Sequence, residues 1–353
     1  MIQRALGNAC RTFRKKDWFF KDIMNEKVQS TLKSSETDDW LDIKVVRPFA
    51  YLWALLCARL DIHPNTVTIV SMIIGAASSW FFAQGSFHYG GAHGLWLNVI
   101  GIILLLWADV LDCTDGQLAR MTGKKSRLGR ILDGLAGFVW FTPIYVGMVI
   151  RFYHHHSIEF GWLGIEDTQR NAMIATLLLL AFALYTGFVC FSWQARTADY
   201  YIQAHLFFLK GEKGSELDSS VKQQQIYDDT PVEGNRMWRF FLKSYIGYTR
   251  KQEQWTPKFQ ALMARLREKY HAEGNIPEEL REDFHRYSLP VIKLNGLLTF
   301  NFRSAFLFLF CLADVPSLNF IFEGFFMSAL CLYIIHRHER FCGILTDKLQ
   351  TMP

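Results

Sequence analysis

The stretch GLWLNVIGIILLLWADV at positions 94–110 decides the fold, because it is apolar apart from Asn98 and Asp109. A helix needs about 20 apolar residues to cross the roughly 30 Å hydrocarbon core of a bilayer, at a rise of about 1.5 Å per residue. This run approaches that length, and its flanks complete it. Five further runs of the same character lie at 67–82, 131–150, 172–193, 291–312 and 318–335. The sequence therefore predicts an all-α, polytopic membrane protein with six transmembrane helices.

The composition agrees with membrane residence and argues against two other classes of protein. Of the 353 residues, 50% are hydrophobic and 20% are charged, and the mean hydropathy is +0.08. About a quarter of the residues of a soluble protein are charged, so a disordered chain is excluded and a cytosolic enzyme is disfavoured. The seven cysteines are scattered without a CxxC spacing, which argues against a disulfide framework. The first twenty residues lack the apolar core of a removable signal peptide, so we expect none.

The distribution of basic residues predicts the orientation in the membrane. The connection at 124–130, KKSRLGR, is strongly basic, whereas 84–93 and 153–169 contain no Lys or Arg. Positive loops stay in the cytoplasm, so both termini, the basic connection and the long polar stretch at 204–289 are predicted to be cytoplasmic, with the protein in the inner (plasma) membrane. These loops account for the net charge of +5, so we expect no nucleic-acid partner.

The predicted organisation has four parts. Residues 1–62 form a cytoplasmic amphipathic arm followed by a short helix lying at the membrane interface from Arg47 to Leu60; an additional crossing is the alternative for that helix. Residues 63–203 hold the first four transmembrane helices, and 290–353 hold the last two and a tail. Residues 204–289 form a helical cytoplasmic insert, in which Pro257 and Pro277 are predicted to open helices.

Three acidic residues at the ends of the second and third spans point to a metal site. Asp112 and Asp115 are three positions apart, so they share one face of a helix. Asp133 comes from the start of the next helix, which runs back antiparallel across a short turn. Convergent carboxylates at the edge of a low-dielectric layer repel each other unless a cation neutralises them. Oxygen-only ligands favour Mg²⁺ or Mn²⁺, which keep open positions for substrate phosphates.

The residues around these carboxylates fit a phosphate-bearing ligand. Gly116, Ala119 and Gly129 remove side-chain bulk, which lets a bulky ligand approach the backbone. Arg120 supplies a fixed cation whose fork suits a phosphate. The alternative is that the aspartates cap helix ends and pair with the basic connection.

The same residues carry a resemblance to a known family. DCTDGQLAR at 112–120 followed by GRILD at 129–133 resembles the signature of the CDP-alcohol phosphotransferases, D-x2-D-G-x2-A-R-x8-G-x3-D-x3-D. PNTVT at 64–68 is similar to the P-N-x-x-T start of that family's first span, so the likeness covers roughly 61–196. It implies six transmembrane helices, a cytosol-facing cavity, a homodimer, and displacement of CMP from a CDP-linked donor by an acceptor hydroxyl.

The resemblance also assigns roles to residues. It implies that Asp112, Asp115 and Asp133 bind the divalent metal. The residues that would line the CDP site are Gly116, Ala119, Arg120 and Gly129, with Asn65 and Thr68 in the first span.

The chain departs from the signature at its last position, where the family's fourth aspartate is replaced by Gly137. That aspartate is the family's base for the acceptor hydroxyl, and a general base contributes about 10²- to 10⁴-fold. We therefore expect Asp109, one turn before Asp112, or Asp133 to take a catalytic role, the metal alone to suffice, or transfer activity to be lost.

Two charged residues lie inside the last two spans. Arg303 and Glu323 are at similar depth in a predicted antiparallel hairpin, where a buried ion pair is the simplest interpretation. Arg303 binding an anionic acceptor is the alternative.

Together these features predict a membrane transferase of phospholipid biosynthesis. We favour CDP-diacylglycerol as the donor and inositol phosphate as the acceptor. A CDP-aminoalcohol donating to diacylglycerol or ceramide is one alternative, and a non-catalytic nucleotide- or lipid-binding protein is another, because of Gly137.

Overall fold

The computed structural model describes residues 36–37, 40–124, 126–211, 214–270 and 276–351. Within these ranges the chain is helical and forms no strand. Most of the predicted amphipathic arm lies outside the described residues. Among the described residues, six helices are long and apolar enough to cross a membrane, which confirms the predicted class of integral membrane protein. They cover Pro64–Gln84, Phe87–Thr122, Ile131–His154, Gln169–Lys210, Glu278–Leu312 and Ser317–Thr351.

The described helices are numbered here in chain order. They are α1 Arg47–Arg59, α2 Pro64–Gln84, α3 Phe87–Thr122, α4 Arg127–His154, α5 Ser157–Leu163, α6 Gln169–Tyr185, α7 Phe191–Lys210, α8 Ser220–Asp229, α9 Arg236–Trp255, α10 Pro257–Tyr270, α11 Glu278–Asn295, α12 Phe300–Leu312, α13 Ser317–Ile321 and α14 Ser328–Thr351. Short π-helical turns precede α1, join α6 to α7 and join α13 to α14, at Asp42–Val46, Thr186–Cys190 and Phe322–Met327.

The chain divides into two compact units. One comprises Met1–Ala183 and Phe308–Ser317, and the other comprises Leu184–Leu307 and Leu318–Pro353. The four-part organisation with boundaries after 62, 203 and 289 stays a prediction.

In the first unit, local signals fix where α2, α3 and α4 begin and end. Pro64 opens α2, at a position where a missing amide hydrogen does no harm. Gly123 ends α3 with φ +68°, a conformation that glycine adopts without strain. The Ser126 hydroxyl then accepts a hydrogen bond from the Gly129 amide and caps α4. Inside the bundle, a Cβ on Gly75 would lie 2.2 Å from the Trp140 ring, so α2 and α4 approach closely there.

A buried polar network closes the opposite end of this unit. The Arg151 guanidinium forms an ion pair with Asp314 and donates to Asn98 Oδ1 at 2.9 Å. It also donates to the carbonyl oxygens of Cys311 and Phe82, at 2.9 and 3.3 Å. Burial alone would raise the pKa of the Asp314 carboxyl, but its hydrogen bonds from a backbone amide and from Arg151 outweigh burial and hold the pKa below its usual range.

Helix α1 packs on α3 with one face and exposes another. Ala50 and Ala54 are buried, whereas Phe49 and Leu52 are exposed. With the π-helical turn before it, the helical stretch runs without a break from Asp42 to Arg59, but it is not among the six described helices that are long and apolar enough to cross a membrane, which disfavours the additional crossing. Its place at the membrane interface stays a prediction.

The second unit holds an aromatic core in which the ring of Phe284 stacks on Phe208, with centroids 3.7 Å apart. Helices α10 and α11 begin at Pro257 and directly after Pro277, as predicted from the two prolines. Two further helices of the insert, α8 and α9, were not predicted from the sequence.

Candidate active site

The predicted aspartates lie where α3 ends and α4 begins. Asp112 and Asp115 are on α3, and Asp115 is only 6% exposed. Asp133 is in the second turn of α4, where its side chain is exposed. The turn at Gly123 reverses the chain, so the two helices present their carboxylates to a common region in the first unit.

These carboxylates act on one another electrostatically. Asp112 experiences the charges of Asp133, Asp115 and Asp109. The Oδ1 atom of Asp112 is buried and has no hydrogen-bond partner among the described residues. A buried carboxylate oxygen without a partner is unfavourable, and repulsion from its neighbours adds to that. The arrangement is therefore one that a bound cation would stabilise.

Helix α2 contributes polar contacts to the aspartates and to the start of α4. The Thr68 hydroxyl donates a short hydrogen bond to Asp115 Oδ2. The Asn65 Oδ1 atom accepts a hydrogen bond from Ser126 at 3.3 Å. A Cβ on Gly129 would lie 2.9 Å from that same Oδ1 atom, so only glycine leaves Asn65 this position. Thr68 and Asn65, predicted from the resemblance alone, are thus brought beside the aspartate-bearing helix ends.

Arg120 folds back along α3. A Cβ on Gly116 would lie 3.4 Å from both terminal nitrogens of the Arg120 guanidinium, so the guanidinium covers this glycine. The Arg120 charge also acts on Asp115. Ala119 is partly exposed beside it. The glycine thus provides the space in which the arginine approaches the aspartates.

Arg47 at the start of α1 is a charged neighbour that the sequence analysis missed. Its charge acts favourably on both Asp109 and Asp112, while Asp42 acts unfavourably on Asp109. Gln117 of α3 donates to the Arg47 carbonyl oxygen at 3.2 Å, which fixes the start of α1 against α3. No local pattern links Arg47 to an aspartate more than sixty positions away, so only the fold reveals it.

The donor set fits a hard divalent cation. Asp112, Asp115 and Asp133 offer only carboxylate oxygens, which are the ligands that Mg²⁺ and Mn²⁺ prefer. The partnerless Asp112 oxygen is the observation that favours a bound ion. Among the described residues, the groups whose ligand atoms all lie within 4.8 Å of one another do not include these three aspartates. Binding one ion would therefore draw their side chains together.

Arg303 lies in the second unit, in a buried ion pair with Glu323. It also donates to Gln194 Oε1 at 2.7 Å and packs on the Phe191 ring. Asn319 donates to the other Glu323 oxygen at 2.7 Å. The predicted ion pair is confirmed, and the alternative role of Arg303 in acceptor binding stays a prediction.

Fold and site together define an integral membrane protein with six apolar helices and an acidic centre suited to a cation-bound phosphate ester. Residues 61–207 match the family model described as CDP-alcohol phosphatidyltransferase. Its members are transferases of substituted phosphate groups and generally use a divalent metal ion.

One known protein is similar to this chain in sequence over a shorter segment. Over 91 residues the chain is 37% identical to archaetidylinositol phosphate synthase of Pyrococcus horikoshii. The matched segment covers 26% of this chain and 42% of that protein, so it spans less than half the length of the relative. No solved structure gives a significant match.

Proposed function

We propose that this protein transfers a substituted phosphate from a CDP-linked donor to an acceptor hydroxyl and releases CMP. The observation that carries the proposal is the group of mutually repelling carboxylates at the facing ends of α3 and α4, with a partnerless Asp112 oxygen, inside the family segment. In the reaction the acceptor oxygen forms a bond to the donor's distal phosphorus. The bond from that phosphorus to the bridging oxygen breaks, and the acceptor's proton passes to a base.

The residues have distinct roles in this proposal. Asp112, Asp115 and Asp133 would hold Mg²⁺ or Mn²⁺, which supplies neutralisation of charge on the diphosphate. Arg120 would bind a phosphate oxygen through its fork. Gly116, Ala119 and Gly129, with Asn65 and Thr68, would shape the nucleotide site. Each of these residues lies beside the aspartates or on the helix ends that carry them.

Asp109 and Asp133 are the candidates for the base. Asp109 is 8% exposed and lies near Arg47. Asp133 is exposed, so a proton that it accepts can pass to solvent. Replacing each in turn by Asn separates the two roles. Loss of transfer with retained CDP-donor binding identifies the base.

For the substrates we favour CDP-diacylglycerol and inositol phosphate. The name of the Pyrococcus horikoshii relative, archaetidylinositol phosphate synthase, supports inositol phosphate as the acceptor. A CDP-aminoalcohol donating to diacylglycerol or ceramide is the alternative with the opposite polarity. An active site facing the cytoplasm follows from the basic connection between α3 and α4, and the homodimer follows from the family resemblance.

The decisive experiment measures CMP release by the purified full-length protein with each donor and acceptor pair. Wild type should release CMP with one pair and require Mg²⁺ or Mn²⁺, and Asp112→Asn should reduce release to background. Asp167→Asn, in the same unit and away from the site, is the matched control and should retain activity. An Asp112→Asn protein as active as wild type would refute the assignment of Asp112 as a metal ligand.

Gly137 favours one further candidate, a protein that binds the CDP-linked compound without transfer. It predicts metal-dependent binding of a CDP-alcohol by wild type and loss of binding in Asp112→Asn, with no CMP released from any pair.

A further inference from the structure

The second unit contains a pocket that the proposed transfer reaction does not use. Its enclosed part is small, about 20 Å³, within about 290 Å³ of empty space that includes open solvent, and it lies between α7 and the corner where α9 meets α10. The residues that matter for its chemistry are Trp193, Arg196 and Tyr201 from α7 and Lys251, Trp255 and Thr256 from the corner. The corner belongs to the insert, outside the family segment 61–207.

A half-buried arginine lies in the wall of this pocket without an acidic partner. The Arg196 guanidinium donates a short hydrogen bond to the Ser192 hydroxyl and lies 5.5 Å from the centroid of the Tyr248 ring. It forms no ion pair within the described part of the chain, and the nearby Asp199 carboxylate, one turn along α7, is hydrogen-bonded to Tyr248. Lys251 adds an exposed second cation at the same pocket. A buried cation is normally paired with an anion. The half-buried Arg196 has no such partner, so an anionic ligand would complete this wall.

Two buried hydrogen-bond donors in the same lining also lack acceptors. Neither Trp193 Nε1 nor the Tyr201 hydroxyl has a hydrogen-bond partner among the described residues, and Tyr201 is only 1% exposed. The indole nitrogen can only donate, so its missing partner must be an acceptor. Two cations and two unsatisfied donors around one pocket call for a ligand rich in acceptor oxygens and negatively charged.

The pocket walls are held in place by their own contacts. Gln252 donates to the Arg196 carbonyl oxygen at 3.0 Å, and the Thr256 hydroxyl donates to the Gln252 carbonyl oxygen at 2.9 Å. The rings of Trp193 and Trp255 have centroids 5.5 Å apart. These contacts join α7 to the corner, so the donors are positioned before a ligand arrives, which lowers the entropic cost of binding.

We propose that this pocket binds the phosphate group of a phosphate ester, through Arg196 and Lys251 with hydrogen bonds from Trp193 and Tyr201. Phosphate matches the lining because it offers several acceptor oxygens to an arginine fork and to neutral donors at once. The ester is a lipid headgroup or a soluble phosphorylated compound; both present the same group. The inference does not depend on transfer activity.

The test is calorimetric titration of the full-length protein in an uncharged detergent, with a chelator present so that no divalent ion binds phosphate at the aspartates. The titrants are inorganic phosphate, glycerol phosphate and short-chain phosphatidic acid, with short-chain phosphatidylcholine as the neutral-headgroup control. Binding of the soluble compounds identifies a soluble ligand. Binding of phosphatidic acid alone identifies a lipid headgroup. Failure of all three phosphate compounds to bind wild type overturns the proposal.

Variants then locate the binding. Arg196→Ala should weaken it about 10- to 150-fold, as expected for lost hydrogen bonds to a charged group, and Trp193→Phe, which keeps the ring and deletes the donor, about 2- to 10-fold. Lys243→Ala, which removes an exposed lysine of α9 that does not line the pocket, should bind as wild type does. If Arg196→Ala does not fold, Trp193→Phe decides. Wild-type affinity of folded Arg196→Ala and Trp193→Phe for the phosphate compounds would refute the site. Unchanged phosphate binding in Asp112→Asn would show that the site is separate from the transferase centre.

Discussion

The hydrogen bond from Thr68 to Asp115 offers a direct test of the acidic centre, because the Thr68 hydroxyl can be replaced with little change in the shape of the side chain. Thr68 is 2% exposed, and its hydroxyl has a single hydrogen to donate. That hydrogen goes to Asp115 Oδ2 by a short bond, while the Pro64 carbonyl oxygen lies at 3.2 Å. Thr68→Val removes the donor and keeps the branched side chain, whereas Thr68→Ser keeps the donor and removes a methyl group.

The magnitude follows from the role of this bond in orienting a metal-ligating carboxylate. Losing such an outer partner typically lowers metal affinity or activity by about 10- to 100-fold. We therefore expect Thr68→Val to lower kcat/KM by that factor and to raise the Mg²⁺ concentration required for half-maximal activity. Thr68→Ser should stay within a few-fold of wild type, because its hydroxyl can still reach Asp115.

The assay is CMP release as a function of Mg²⁺ concentration, with thermal unfolding of each variant as the check on folding. A merely structural role for Thr68 would lower the unfolding temperature and leave the Mg²⁺ dependence unchanged. If Thr68→Val shows the Mg²⁺ dependence and the rate of wild type, the assignment of Asp115 as a positioned ligand is refuted.

Two further substitutions test the framework of the first unit. Gly129→Ala should lower both the free energy of unfolding and the affinity for nucleotide, because the new Cβ would lie 2.9 Å from Asn65 Oδ1. Gly134→Ala is the control on the same helix. Its Cβ meets open space, so it should behave as wild type in unfolding and binding assays. Arg151→Met should destabilise the protein by about 3–5 kcal/mol in thermal or denaturant unfolding, because it leaves the Asp314 carboxylate buried and unpaired. Since the folded pKa of Asp314 is lowered, its carboxylate stabilises the fold above the unfolded pKa of about 3.9, and that contribution is lost as the pH falls through the folded value. Asp314→Asn should therefore be less stable than wild type at neutral pH, and the difference should shrink steadily below about pH 4; a difference independent of pH would contradict this account.

The sequence predicted features whose signal is local. Hydropathy over about twenty positions is enough to find a span, so all six were found, but their predicted ends lie up to 17 residues inside the helices of the structure, as at 193 against Lys210. The spacing of Asp112 and Asp115 places them on one helical face wherever that helix lies. The helix at Pro257 was found for the same reason, since proline opens a helix through its own backbone.

Features that depend on tertiary packing were not predicted. Arg151 and Asp314 are 163 positions apart, and nothing near either residue indicates the other. The contribution of Arg47 to the acidic centre depends on how α1 packs on α3, which the pattern of α1 does not specify. Helix α9 was missed because its apolar residues are interleaved with basic ones and resemble a solvated segment. Apart from α9, the failures are thus of long range, whereas the successes lie within a few turns of helix.

The charges of the acidic centre lead to a prediction about its metal content. Asp109, Asp112, Asp115 and Asp133 carry four negative charges when ionised, and Arg47 and Arg120 supply two positive ones. The surplus of two negative charges among these six side chains equals the charge of one divalent ion. An aspartate at Gly137 would add a ligand and a charge, which is what a second ion requires. We therefore expect one Mg²⁺ or Mn²⁺ per chain in wild type, measured by calorimetry and by metal analysis. Gly137→Asp should preserve or raise transfer and admit a second ion, and two ions in wild type would refute the charge argument.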